Sequence, residues 1–278
     1  IRHTLYLNKI YINKLYISIV INDKQIKTKI FVSFLSGVGR IVGGSPAPPG
    51  VAPYQASLLS PTGTNVCGGA ILSSRAIISV AHYVNPEEIV ILVGTNNLSQ
   101  QGQTHNVSQI ISHEGYNRTS KENDIAILIT CGGQYVIPLY ATILYLMRHR
   151  IIKIIFPVYL SIIFLQSNSD DVPSVMQIIQ LKEFDIETCK YAYRNVRPLF
   201  DSQLCTFTAA GQGSCYGDSG APLVLSQHKG PVLVGIASFG IPCGIGYPDV
   251  FTRISAYVDW IKALKQIKKN LSKWRSKW

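Results

Sequence analysis

No group of His, Cys, Asp and Glu in this chain has the spacing of a metal site, and no glycine-rich phosphate loop leads into a helix. Neither a metal nor any other cofactor is therefore expected. No internal repeat is present, which argues against solenoids and propellers. Tryptophan is missing until Trp260, followed only by Trp274 and Trp278. Acidic residues are scarce, 15 against 26 Lys and Arg, for a formal charge of +11. That excess lies at the ends. Residues 1–40 hold seven basic residues and one acid, and residues 262–278 hold seven basic residues and no acid. The body, 41–261, has twelve basic and fourteen acidic residues and a net charge of −2, so no nucleic-acid partner is expected.

Long apolar runs are also few. Ile125 to Met147 is a stretch of 23 residues without a charge, but Gly132, Gly133, Gln134 and Pro138 interrupt it. Its first residues read as a strand, and a membrane span is not expected. Leu15 to Ile21 is too short and too far in for a signal peptide. With 278 residues and 47% hydrophobic content, one two-lobed core of ordinary size plus extensions is affordable. Six cysteines suit an oxidising compartment. Asn97, Asn106, Asn117 and Asn270 each begin an N-glycosylation triplet, weak support for the same compartment. Val258, Ile261, Leu264 and Ile267 have helical spacing and predict a docked C-terminal helix.

Three short motifs carry chemistry: Ala81-His82, Asn123-Asp124-Ile125-Ala126 and Gly217-Asp218-Ser219-Gly220. Each alone has an ordinary reading as a core histidine or a turn. Together they supply a base, an orienter and a nucleophile. A serine hydroxyl is a poor nucleophile at neutral pH, so Ser219 needs His82 to take its proton, and Asp124 would fix the imidazole tautomer and stabilise the imidazolium. Cys67-Gly68-Gly69-Ala70 leads into a strand-like run, Ile71 to Val80, that delivers His82, and Gly211 to Gly220 forms a glycine-rich loop around Ser219.

With these flanks the chain resembles the chymotrypsin-like serine proteases. The likeness rests on Arg40-Ile41-Val42-Gly43-Gly44, Cys67 to His82, Asp124 to Leu128, Gly211 to Leu225, and Ser238 through Trp260, in the order His, Asp, Ser. The resemblance implies an all-β fold of two packed six-stranded antiparallel Greek-key barrels with a C-terminal helix. It implies a zymogen cut after Arg40, with the freed amino group of Ile41 pairing with Asp218, and an oxyanion hole from the N–H groups of Gly217 and Ser219. It places Gly213 at the base of the specificity pocket, with Ser238, Phe239 and Gly240 in its wall and Phe239 as the floor for the substrate backbone. Trypsin-like members carry an aspartate where Gly213 stands. Asp249 stands where many members have glycine, and its carboxylate either reaches the pocket or is hydrogen-bonded near the rim. The Gly213 and Asp249 combination looks like arthropod chymotrypsins and collagenolytic proteases. Cleavage is thus expected after large apolar or aromatic residues, with tolerance of Leu, Lys or Arg.

The resemblance pairs Cys189 with Cys205 and Cys215 with Cys243. Cys67 lacks its partner, since Tyr83 stands where the family has cysteine, and a bridge from Cys67 to Cys131 stays open. From Cys131 to Gln166 the family pattern disappears, including the tryptophan-bearing strand that opens the second barrel. Ile151 to Leu165 is β-branched enough to substitute, with Pro157 arguing for an edge or a break. The expected organisation is a leader over 1–40, a protease domain over 41–263 with 131–166 atypical, and a basic tail over 264–278. The expected function is a secreted, monomeric serine endopeptidase whose partners are polypeptide substrates, an activating protease at Arg40 and proteinaceous inhibitors. The alternative is a catalytically impaired, protease-like binding protein.

Overall fold

The computed structural model describes backbone and side chains for residues 42–84, 89–98, 100, 102–131, 175–215, 217–227, 230–241 and 244–264, and backbone alone for 7–12, 15–20, 33–34 and 158–162. Arg40, Ile41, Cys243, Arg148 to Arg150 and the tail from 265 lie outside these. The chain divides into two units, Ile1–Val38 and Gly39–Trp278. In the first, β1 (Leu7–Ile12) pairs antiparallel with β2 (Leu15–Val20), which pairs with β3 (Ser33–Phe34).

In the second unit a short β4 (Ser45–Pro46) precedes the first barrel. That barrel is built from β5 (Gln55–Leu59), β6 (Asn65–Ser73), β7 (Ala76–Ser79), β8 (Val90–Val93), β9 (Gln103–Ser112) and β10 (Ala126–Thr130), closed in the order β10-β7-β6-β5-β8-β9. β8 returns to lie beside β5, which makes β8-β5-β6-β7 a Greek key. The run expected to form one strand from Ile71 to Val80 is instead the end of β6, a turn at 74–75 and β7. The Ser74-Arg75 pair turns the chain, so β7 comes back beside β6 and ends at the site. Side chains of β5 to β8 are nearly all buried, Leu58, Ile77, Ile78 and Ile91 completely. Gly69 has no room for more: a Cβ there would lie 2.6 Å from Cγ2 of Ile77.

The second set of strands is β11 (Val158–Ile162), β12 (Gln177–Leu181), β13 (Glu183–Phe184), β14 (Gln203–Thr206), β15 (Pro222–Gln227), β16 (Gly230–Phe239) and β17 (Asp249–Arg253), in the order β13-β14-β17-β16-β15-β11-β12, with β4 added on β12. β12 and β13 are separated only by Lys182, whose carbonyl accepts from Phe207 N at 3.0 Å. The two ends of the sheet are thus consecutive parts of one bent strand, and the sheet closes into a second six-stranded barrel. Its cyclic order is that of the first. The strand missing from the sequence pattern is supplied by β11, which starts directly after Pro157 and pairs with both β12 and β15.

Between β13 and β14, helix α1 (Ile186–Tyr193) is capped by Asp185, whose Oδ2 accepts from Thr188 N at 2.8 Å. The chain ends its described part in a one-turn helix, Ile254–Tyr257, running into helix α2 (258–264), as the apolar spacing predicts. Ile254, Tyr257 and Ile261 join the core, and Trp260 Nε1 donates to Glu114 Oε2 at 3.0 Å. No helix among the described residues is long and apolar enough to cross a membrane.

Candidate active site

β7 delivers His82 into a one-turn helix, Ala81–Tyr83. Asp124 sits just before β10, in a loop shaped by two left-handed residues, Lys121 (φ 58°) and Asn123 (φ 54°). Asparagine tolerates that conformation, and here its side chain is anchored: Nδ2 donates to Gly115 O at 2.8 Å and Oδ1 accepts from Tyr257 OH at 2.9 Å. The backbone of Asp124 is thereby turned so that its carboxylate faces His82. Oδ2 lies 2.6 Å from His82 Nδ1, and Oδ1 accepts from His82 N at 3.0 Å. The Asp124 side chain has no exposure, and that of His82 has 11%.

A buried carboxylate needs further donors. Ser238 Oγ supplies one, donating to Asp124 Oδ2 at 2.6 Å, while Thr252 Oγ1 holds the backbone by donating to the Asp124 carbonyl at 2.7 Å, both from the second barrel. Sequence reasoning placed Ser238 only in the pocket wall and missed Thr252. Neither carries a local signal, because the pairs are 114 and 128 residues apart in the chain.

Ser219 follows a tight loop. Asp218, 2% exposed, accepts from Cys215 N through Oδ2 at 2.6 Å. Ser219 O accepts from Gly68 N at 2.7 Å, and Gly220 N donates to Ala237 O at 2.7 Å. Gly220 (φ +80°) is the position that most needs glycine: a Cβ there would run into Gly68 O, Ser79 Oγ and Cys67 Sγ. His82, Ser219 and Gly217 (φ 85°) line one cavity of about 270 Å³, together with Lys121, Arg197, Ser214, Phe239 and Gly240.

Cys67 and Cys131 are not bridged, which closes the alternative left open above: Cys67 is buried and Cys131 exposed. The Cys67 thiol donates to Ser219 O at 3.0 Å and lies 3.4 Å from Ser79 Oγ. Burial pushes it up to about 12, so it remains a neutral donor at physiological pH. Tyr83, where a cysteine was expected, packs its ring on His82 with centroids 4.6 Å apart. Cys189 and Cys205 are bonded as expected, and Cys215 is disulfide-bonded.

Gly213 and Asp249 meet. A Cβ on Gly213 would lie 2.7 Å from Asp249 Oδ2. The carboxylate is buried at 6% exposure and turned onto Ser214, with Oδ2 accepting from Ser214 N at 2.8 Å and Oδ1 from Ser214 Oγ at 2.7 Å. Ser214 lines the cavity, as does Gly240, on which a Cβ would lie 3.1 Å from Asp249 Oδ1. Burial raises Asp249 to about 6, partly opposed by the two bonds from Ser214. Tyr193, unmarked in the sequence, braces the base: its OH donates to Pro248 O at 2.7 Å and accepts from Ile241 N at 3.2 Å. Val42 is bonded to Gly213 in both directions, at 3.0 and 3.1 Å. No group of His, Cys, Asp and Glu among the described residues is arranged to hold a metal ion.

This geometry agrees with what the chain is similar to. The trypsin family profile matches residues 41–261. Chymotrypsin-2 of Vespa crabro is 34% identical over 229 residues, 80% of this chain and 98% of that protein. Trypsin Tyr p 3.0101 of Tyrophagus putrescentiae is 32% identical, covering 81% of this chain and 80% of its own length. Among solved structures, neuropsin, a serine protease expressed in the limbic system of mouse brain, superposes with a TM-score of 0.69 at 25% identity, over 81% of this chain and all of its own. The chain belongs to the trypsin family and is a chymotrypsin-like serine endopeptidase.

Proposed function

We propose that this endopeptidase is secreted and cleaves peptide bonds through an acyl-enzyme on Ser219, with a preference for large apolar or aromatic residues before the scissile bond. The carrying observation is the buried Asp124 carboxylate, held by Ser238 and by His82 N, with His82 Nδ1 at 2.6 Å. With Nδ1–H committed to Asp124, the other ring nitrogen is free to take the Ser219 proton and return it to the leaving amine. The N–H groups of Gly217 and Ser219 would receive the oxyanion, on a loop whose glycine at 217 leaves the substrate carbonyl room to approach.

Activation would follow cleavage after Arg40, the freed Ile41 ammonium pairing with Asp218. Two observations support this: Val42 is tied to Gly213, six residues before the nucleophile, and Asp218 is buried beside it. The protease domain is then 41–263, with 1–40 a leader and 264–278 a basic tail. The bonded cysteines support an oxidising, extracellular destination. Partners are polypeptide substrates, the activating protease and proteinaceous inhibitors, and the enzyme works as a monomer without a cofactor.

The preference follows from the pocket base. Gly213 presents no side chain, and the buried Asp249 carboxylate is turned onto Ser214 N and Oγ, so its charge is drawn away from a substrate side chain. The test is a set of fluorogenic peptides, identical except for Phe, Tyr, Leu, Lys or Arg before the scissile bond, assayed after limited cleavage at Arg40. Phe and Tyr should lead, with Leu tolerated and Lys and Arg cleaved about tenfold more slowly than Phe. A preference for Lys and Arg would contradict the reading.

A further inference from the structure

Two cations in the catalytic cavity have no acidic partner among the described residues. Lys121 stands three residues before Asp124, its left-handed backbone pinned from the second barrel by Gln203 Nε2 donating to Lys121 O at 3.2 Å. Among the described residues its side chain makes one long hydrogen bond, from Nζ to Tyr116 OH at 3.4 Å. Arg197, in the loop after α1, has its guanidinium 4.6 Å from the centroid of the Phe239 ring. Its Nη1 is buried and has no hydrogen-bond partner among the described residues. Both side chains line the cavity that holds His82 and Ser219.

The two also sense one another. Burial holds the Lys121 ammonium below its ordinary range, and the guanidinium groups of Arg197 and Arg118 add to that effect while Asp124 opposes it. The Asp124 carboxylate is nevertheless spent on Ser238 and His82. A left-handed non-glycine backbone, a buried guanidinium nitrogen without an acceptor and two neighbouring cations are each unfavourable alone. A carboxylate placed between Lys121 and Arg197 would relieve the last two together. By the resemblance, Phe239 underlies the substrate backbone next to the pocket, so Arg197, stacked on that ring, stands beside residues that precede the one in the pocket.

We infer that Lys121 and Arg197 form a subsite for an acidic side chain, Asp or Glu, located two to four residues before the scissile bond. The inference rests on the peptidase reading and adds a substrate class to it: polypeptides with an acidic residue upstream of a large apolar one. Guanidinium and ammonium groups in a partly desolvated cleft bind a carboxylate more strongly than at an open surface, with a pronounced dependence on salt.

The test uses the full chain after cleavage at Arg40 and fluorogenic peptides with Leu before the scissile bond and Glu, Gln or Lys scanned through the three preceding positions. At one position Glu should exceed Gln about tenfold in kcat/KM at low salt, and the ratio should shrink to about threefold in 0.5 M NaCl. Combining Lys121→Gln with Arg197→Gln should bring the ratio to near one. A ratio near one in the wild-type chain, or one that survives both substitutions, overturns the subsite while leaving the peptidase intact. The Ser219→Ala chain separates the two claims, because fluorescein-labelled versions of the same peptides report binding by anisotropy without turnover. Tighter binding of the Glu peptide supports the subsite even if the wild-type chain hydrolyses nothing, and equal affinity for Glu and Gln peptides overturns it.

Discussion

At the scale of single residues, two of the site's three buried carboxylates stand in opposite circumstances. Asp124 is surrounded by donors, while Asp249 has, among the described residues, donors from Ser214 alone and is raised to about 6 by desolvation. An acid whose folded pKa lies above its unfolded value of 3.8 is destabilising when ionised. That penalty is absent below about pH 4 and complete above about pH 6, and a shift of about two pK units corresponds to on the order of 3 kcal/mol. Between pH 4 and pH 7 the unfolding free energy of Asp249→Asn should therefore move, relative to wild type, by about 2–3 kcal/mol in the variant's favour, as measured by denaturant unfolding. A difference that stays flat across this range would mean that Asp249 is solvated. The two free thiols give a second prediction. In the native chain a disulfide-exchange reagent should titrate Cys131 at once and leave Cys67 untouched, with Cys67 reacting only in denaturant. Rapid reaction of both would contradict the packing of Cys67 behind Ser219.

At the scale of elements, β11 carries the most weight for its length. Its five residues replace the strand that the sequence pattern lacks, and they pair on both sides, Leu160 with Ile179 of β12 and with Leu223 of β15. A strand with two neighbours tolerates no proline, since the ring removes a ladder N–H and clashes with the pleat. Leu160→Pro should lower stability by about 3 kcal/mol or more, read as a fall in the thermal midpoint. An unchanged midpoint would show that the second barrel does not depend on β11. The hairpin of β6 and β7 has the complementary role: its turn returns the chain so that His82 leaves the end of β7 beside Asp124. The absent bridge at Cys67 is offset by the two-pronged grip of Asp124 on His82 and by the Tyr83 ring packed on the imidazole.

At the scale of the whole molecule, the cleft is a product of contacts between barrels: Ser238 and Thr252 on Asp124, Gln203 on Lys121, Tyr257 on Asn123 and Gly68 on Ser219. This is also where the sequence is least legible. His82, Asp124 and Ser219 announce themselves because each sits in a short stretch with its own chemistry and turn residues. Gly213 and Asp249 can be read together, but their contact across 36 positions, and the hold of Ser214 on the carboxylate, depend on how β17 packs against the loop before Ser219. Thr252, Gln203, Tyr193 and Arg197 look like ordinary strand or loop residues until the barrels close. β11 is readable only as part of the β-branched run from Ile151 to Leu165, interrupted by Pro157, and its place as the first strand of the second barrel is fixed by pairing with residues up to 65 positions away.

The most direct measurement of the central claim is active-site labelling with a fluorescent fluorophosphonate before and after limited cleavage at Arg40, with the modified peptide located by mass spectrometry and Ser219→Ala as control. The account predicts labelling of Ser219 that appears only after cleavage and is lost in the variant, because an activated serine hydroxyl needs both the Asp124–His82 pair and the reorganised loop around Asp218. No labelling in either state would contradict it and leave a chain that keeps the protease fold as a binding protein.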